Sequence, residues 1–320
     1  MSNNYNVVQF SRDQLIPYLA FVSSRAMNRF PEPGYLMASD VAWRLPLSAP
    51  RRQIRLWNDR EKLIGHVWFT PNDITVLDTS VPELLPELVH HAADQTMQHQ
   101  PTNPWLLSIS NMDEWQEALQ SGQHLLTAQQ HQLQVTAFDK DLNRQAALKN
   151  LGFTGTEHTA KHLKIDLSSV EEPLPVKSGV TFRAVTDAEL EKRAQLHRDA
   201  WFGSTFSLET YNKVRESPIF ETELDVVSVE SDNKFGSYCI GWIDPIMKTG
   251  SFEPVGTHKD FRGRGLAESV IRETLWRMKK MDMTTAKIST AGFNRPAFDL
   301  YQRCGFTFTD FERTYIKSID

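Results

Sequence analysis

The alternation of apolar and polar positions divides the chain into two stretches of similar rhythm. In the second, residues 180–185 alternate as a strand. Asp187 then opens a helical period, as its N-cap, that runs to about Trp201, and a second helix covers about 208–220. Residues 224–230 and 238–244 are rich in β-branched and aromatic side chains and are joined by Asp232, Asn233 and Gly236, the pattern of a hairpin. A strand at 251–257, a helix at 265–281, a strand at 286–290, a helix at 294–304 and closing strands around 306–319 complete the order. The prediction is an α/β protein with a mixed sheet layered by helices.

The first stretch echoes this order. A strand is expected at 6–10, a helix after Ser11, a hairpin over 54–69 turning at Asn58 and Asp59, and a late helix from Asn143 followed by Leu151, Gly152 and Phe153. Asn143-Arg144-Gln145-Ala146 with Gly152-Phe153 mirrors Asn294-Arg295-Pro296-Ala297 with Gly305-Phe306. The match at the same stage of both halves predicts a duplication, with an insertion in the first half somewhere in 97–130. Residues 168–179, SSVEEPLPVKSG, have the composition of a linker, which places domains at 1–167 and 180–320.

Composition narrows the function classes. A chain of 320 residues can bury two cores, and 40% hydrophobic residues, with eight Trp and eighteen Phe, supply them. The net charge is −5 with Lys and Arg spread along the chain, which argues against a nucleic-acid partner. Cys239 and Cys304 stand far apart with no CxxC spacing, as expected in a reducing compartment. Residues 1–5 are polar and no long apolar run follows, so neither a signal peptide nor a membrane span is expected and a cytoplasmic location is the default. His90, His91 and His99 do not converge, because neighbouring histidines on a helix face different ways, and no metal is expected.

Two short segments carry candidate chemistry. Arg262-Gly263-Arg264-Gly265-Leu266-Ala267 follows a strand and opens a helix with Ala267, Val270, Ile271, Leu275 and Met278 on one face. Free N–H groups at a helix start, with glycines that let the backbone approach phosphate oxygens, make an anion site. A plain tight turn reads the same, so the hexapeptide alone leaves both open. The second segment starts at Asn294, an N-cap, with Pro296 in the first turn and Gly305 as terminator. Ala297, Leu300, Tyr301 and Cys304 share a face there, either as plain core or to present the Tyr301 hydroxyl to a ligand.

Together, R-x-x-G-x-A at 262–267 and N-x-x-A-x-x-L-Y-x-x-x-G-F at 294–306 resemble the acyl-CoA motif pair of the Gcn5-related N-acetyltransferases (GNAT). The surrounding phrase at 252–258 is similar to bacterial tandem members. The likeness is specific over about 251–306, looser back to residue 180, and faint in the first 165 residues. It implies two tandem GNAT-like domains, each a mixed, mostly antiparallel sheet with helices, the second catalytic and the first degenerate.

The resemblance also implies residue roles. Backbone groups of Val255 and Thr257, flanking Gly256, would pair with the pantetheine arm of acetyl-CoA and polarise the thioester. Arg262, Gly263, Arg264, Gly265, Leu266 and Ala267 would hold the pyrophosphate, Asn294 would sit near the pantetheine or a bound water, and Ala297 would also contact the cofactor. Tyr301 would protonate the departing thiolate. Pro254, without an N–H, suits a bulge that splays this strand from its neighbour.

An amine must lose a proton before attack, and Glu253 is expected as the base, on the reasoning that it shares strand parity with Val255 and Thr257. A structural ion pair with an arginine is the alternative. His258 reads as a loop residue and His197 as a satisfied core or surface histidine. Trp201, Phe202 and Phe206 are candidates to line the acceptor, or else to fill the core or a domain interface.

In the first half the matching junction, Leu77 to Glu83, lacks the glycine loop, and Asp78 and Glu83 would repel a pyrophosphate. The expected activity is direct transfer of acetyl from acetyl-CoA to the primary amine of a small molecule, such as a metabolite, amino sugar or antibiotic. The alternatives are an acyl-CoA-binding regulatory or scaffold protein without turnover, and a protein N-acetyltransferase. A homodimer stays open.

Overall fold

A computed structural model describes residues 5–29, 34–47, 53–70, 73–99, 109–121, 130–173 and 179–319. The first half runs β1 (Asn6–Gln9), α1 (Leu15–Arg29), α2 (Ala38–Leu47), β2 (Gln53–Asp59), β3 (Lys62–Phe69), β4 (Val76–Thr79), α3 (Leu85–Met97), α4 (Met112–Gln120), β5 (His131–Phe138), α5 (Leu142–Asn150) and β6 (Thr154–Asp166). The second runs β7 (Thr181–Ala184), α6 (Leu190–Ala200), α7 (Leu208–Arg215), β8 (Phe220–Val229), β9 (Phe235–Asp244), β10 (Thr249–Thr257), α8 (Leu266–Lys280), β11 (Thr285–Ala291), α9 (Arg295–Arg303) and β12 (Thr307–Ile319).

The strands form two sheets. One has the order β1-β2-β3-β4, and the other β5-β12-β6-β11-β10-β9-β8-β7. In the larger sheet the closing strand of each half lies against the other half. β6 pairs antiparallel with β11 from Thr285↔Asp166 to Ala291↔Ala160. β12 pairs with β5 from Glu312↔Phe138 to Ile319↔His131, and with β6 along its other edge. The chain boundary at 168–179 therefore falls between two strands of one continuous ladder.

Burial follows the same weave. Under α8 a core of Val270, Ile271, Leu275 and Met278 meets Leu224, Val226 and Phe252, together with Leu163 and Ile165 of β6. The first half buries Trp57, Val67, Leu88 and Leu133, and Tyr315 of β12 joins them. A third cluster brings Ala42 and Trp43 of α2 against Phe206, Tyr211 and Trp242 of the second half.

Several local expectations shift by a few residues, each for a physical reason. The first hairpin turns at Arg60 and Glu61, since Asp59 still pairs with Lys62 and Arg60 takes the left-handed φ of 57°. The capping residue before α6 is Thr186, which exchanges hydrogen bonds with Glu189, while Asp187 instead receives Arg215. The second helix ends at Arg215, just short of Ser217 and Pro218, because the ring of Pro218 cannot continue it.

The segment 168–179 starts pinned. Val170 is buried, and the Lys279 ammonium donates to the carbonyls of Ser168 (3.0 Å) and Val170 (2.6 Å). Residues 174–178 of that segment lie outside the described residues, as do 100–108 and 122–129 of the expected insertion. α4 lies between those last two stretches.

Candidate active site

The site begins where two parallel strands part. β10 and β11 are in register from Thr249↔Thr285 to Ser251↔Lys287 and no further. Beyond that point β10 stays on β9 as far as Thr257↔Ser237, with a register shift between Phe252 and Val255 beside the cis Glu253–Pro254 peptide. β11 stays on β6. The β10 edge over 252–257 is thus unpaired toward β11, and unpaired backbone groups need a partner from a ligand or water. Gly256 must be glycine here, because a Cβ would come within 2.6 Å of the Tyr238 ring.

On the α8 side the parting opens into a cleft of about 580 Å³. Val255, Gly256 and Thr257 form one wall, the 262–267 loop another, and Asn294, Ala297 and Tyr301 a third. Every residue expected to hold the cofactor lines it. Gly263 and Gly265 both take φ of 77°, a left-handed conformation that costs other side chains about 1–2 kcal/mol each, and Gly265 is the N-cap of the fifteen-residue α8. Gly265, Leu266 and Ala267 at that helix start line the cleft, the position an anion site requires.

The two loop arginines are partly committed. Arg262 donates to the Ala200 carbonyl (3.1 Å), and Arg264 pairs with Glu230 (2.9 Å). Arg303, unremarked in the sequence, lines the same cleft and adds positive charge. Asn294 caps α9 by accepting from the Ala297 N–H (3.2 Å). Tyr301 is buried, and its hydroxyl has no hydrogen-bond partner among the described residues. Burial first, then the neighbouring Cys304 and Cys239 and the charge of Glu253, raise its phenol well above the ordinary tyrosine range, so it stays a proton donor.

The three aromatic candidates separate. Trp201 and Phe202 line the cleft, and Trp201 Nε1 donates to the Tyr238 hydroxyl (2.9 Å). Phe206 corrects the expectation, because it is packed in the core, its ring 4.4 Å from His197 and 5.4 Å from Trp43. His197 is a core histidine bonded to Ser204 Oγ (2.9 Å), its pKa pushed down to about 3 by burial. His258 caps the short turn at 259–261. Sequence reasoning missed Met112, Trp115 and Gln116 of α4, which reach the cleft from the first half. Only the i, i+3, i+4 spacing of those three side chains could have hinted at a shared face.

Glu253 also requires a correction. It does not share a face with Val255 and Thr257, because the register shift between Phe252 and Val255 breaks the alternation on which that inference rested. It lines instead a second pocket, of about 230 Å³, on the opposite side of the sheet and between the halves. Ser251, Lys287, Asp40, Arg44, His162 and Glu312 are among its walls. Arg44 Nε stands 3.6 Å from Glu253, and its other end is 3.3 Å from Asp40. Burial outweighs Arg44, and with Asp40 close by the Glu253 carboxyl is pushed up to about 7. Glu312 goes the other way: burial would raise it, but bonds from His162 (2.9 Å) and Thr136 (2.5 Å) hold it below the usual carboxylate range.

The first half shows what a closed version of the slot looks like. Between β4 and β5, the buried Arg144 donates to the carbonyls of Leu77 (2.9 Å) and Thr136 (2.8 Å) and stacks 3.9 Å over Tyr35. Asp78, read from sequence as a repelling charge, is consumed by Arg25 in two 3.0 Å bonds, and Glu83 is exposed. Among the described residues no cluster suits a metal ion, and no helix is long and apolar enough to cross a membrane. Both cysteines are free and buried.

Comparison with known proteins agrees with this geometry. Residues 191–306 match the model of the acetyltransferase (GNAT) family. A tandem GNAT protein from the clavulanic acid biosynthesis pathway aligns over 99% of this chain and 99% of its own, with a TM-score of 0.64 at 12% identity. A GCN5-related N-acetyltransferase from Sphaerobacter thermophilus aligns over 100% and 97%, with a TM-score of 0.60 at 16% identity. An acetyltransferase of the GNAT family from Colwellia psychrerythraea aligns over 98% and 100%, at 0.58 and 11%. No curated protein matches the chain. The chain therefore has the tandem GNAT fold, and its residues 191–306 match the acetyltransferase (GNAT) family.

Proposed function

We propose that this protein transfers acetyl from acetyl-CoA to the primary amine of a small molecule. The observation that carries the reading is that one short stretch of β10 serves two chambers. Val255, Gly256 and Thr257 wall a cleft with a helix-start anion site, while Glu253, two residues earlier, floors a pocket on the other side of the sheet. The donor's phosphates would lie against the 262–267 loop and its pantetheine arm along the free edge of β10. The acceptor enters from the far side.

In this arrangement Glu253 takes a proton from the amine, and Tyr301 returns one to the sulfur as the carbon–sulfur bond breaks and the carbon–nitrogen bond forms. A carboxyl near 7 suits a base that works at neutral pH. At about 230 Å³, below the roughly 300–1,000 Å³ of drug-sized sites, the pocket favours a compact acceptor over a protein surface. The test is thiol release from acetyl-CoA against amines, amino sugars, aminoglycosides and a lysine-rich peptide. Turnover of a small amine supports the reading. Turnover of the peptide alone, or no turnover by protein that binds acetyl-CoA, overturns it.

A further inference from the structure

We propose that the first half is part of the acyl-CoA site: the α4 face formed by Met112, Trp115 and Gln116 packs against the pantetheine arm of the acyl donor. This rests on the acetyl-transfer reading above and assigns to its donor site three residues that lie outside the family match at 191–306. The argument starts from the helix itself. Met112, Trp115 and Gln116 stand at i, i+3 and i+4, on one stripe of α4, and all three line the cleft. Each is half-buried, whereas Asp113 and Glu117, off that stripe, are exposed, and Ala118 is buried. The helix thus turns an indole, a thioether and one carboxamide toward a cleft whose other walls come from the second half.

Charge decides which part of the donor meets this face. α4 carries three carboxylates, Asp113, Glu114 and Glu117, and no cation. The cations that line the cleft are Arg262, Arg264 and Arg303 of the second half. The phosphates of CoA are drawn to those arginines and to the start of α8, and are repelled by α4. The pantetheine arm is the long uncharged stretch that remains. Its methylenes suit Met112 and Trp115, and its amides suit Gln116, which offers both a donor and an acceptor.

A second observation points independently to a ligand with apolar surface. Trp201 and Phe202 line the same cleft and yet leave 36% and 54% of their surface in water. Trp201 Nε1 is tied to the Tyr238 hydroxyl, and the Tyr238 ring lies against Gly256, so this aromatic side borders the free edge of β10 along which the arm runs. With Trp115, three aromatic side chains from both halves surround one groove, and a carbon chain laid in it takes their surface out of water. Thus the half without an open slot of its own helps to hold the donor in the slot of the other.

The test is calorimetric titration of the full chain with CoA and with adenosine 3′,5′-bisphosphate, which lacks the arm. Trp115→Ala should weaken CoA about tenfold and the bisphosphate less than twofold, and Trp115→Phe should stay within about threefold of the wild type for CoA. Gln116→Glu, an isosteric change at a half-buried position that leaves folding intact, should weaken CoA about threefold, again sparing the bisphosphate. Retained affinity for the bisphosphate shows that the site is folded, so a merely structural role of α4 would weaken both ligands alike. Equal loss for the two ligands, or full CoA affinity in both Trp115→Ala and Gln116→Glu, overturns the proposal. These titrations need no turnover. The expected pattern of binding without acetylation of any amine would instead sink the acetyl-transfer reading alone.

Discussion

At the scale of single residues, the proposed reaction gives Glu253 and Tyr301 opposite tasks, each matched to where the side chain sits. Tyr301 is buried against apolar and thiol neighbours that keep its proton on, and Glu253 lies beside Asp40 in a pocket that leaves its carboxyl at about 7. Tyr301→Phe should lower kcat about 10²-fold with little change in the KM for acetyl-CoA, as expected for loss of a positioned proton donor. The base must be ionised to work, so the activity of the intact protein should rise with pH through about 7. Glu253→Gln should abolish that rise and leave a low, flat profile in the same thiol-release assay. A rise unchanged in Glu253→Gln would assign the titration to another group, the amine itself first.

Among elements, the difference between the halves comes down to what fills the gap between two parting strands. In the second half the gap is open and a left-handed glycine starts the helix beside it. Gly265→Val forces a β-branched side chain into φ of 77° and should weaken CoA binding at least about tenfold by calorimetry, with the global melting midpoint nearly unchanged. In the first half the gap is bridged by Arg144. Arg144→Met leaves two buried carbonyls without their donor and should cost about 2–4 kcal/mol in a urea titration. A loss under about 1 kcal/mol would mean that water replaces the guanidinium.

Across the whole molecule, the exchange of closing strands makes the halves interdependent. A fragment of residues 179–320 lacks β6, which lies between β11 and β12, and β5, which covers the other edge of β12, and would expose three long strand edges. Such a fragment should be aggregated or largely unfolded by circular dichroism, and adding residues 1–173 as a separate chain should recover soluble, CoA-binding protein. A fragment of residues 179–320 that folds and binds CoA alone would show that the shared ladder is dispensable. The pocket around Glu253 depends on the same assembly, because α2, β5 and β6 of one half and β10, β11 and β12 of the other all contribute to it.

The sequence by itself determined the elements of the second half and the residues of its candidate cofactor cleft. That information is local: glycines at left-handed positions, an N-cap at Asn294 and an i, i+3, i+4, i+7 stripe around Tyr301 act within a turn or two of chain. The tertiary structure alone decided that Glu253 and Val255 serve opposite faces, because a register shift is settled by the neighbouring strand, and strict alternation could not reveal it. It alone decided that Phe206 is core, since Trp43 and His197, which enclose it, come from α2 and α6. The place of α4 in the cleft, the plug of Arg144 and the exchange of β6 and β12 are likewise contacts between segments far apart in sequence. No local pattern records such contacts, because their energies arise only when both partners lose water together.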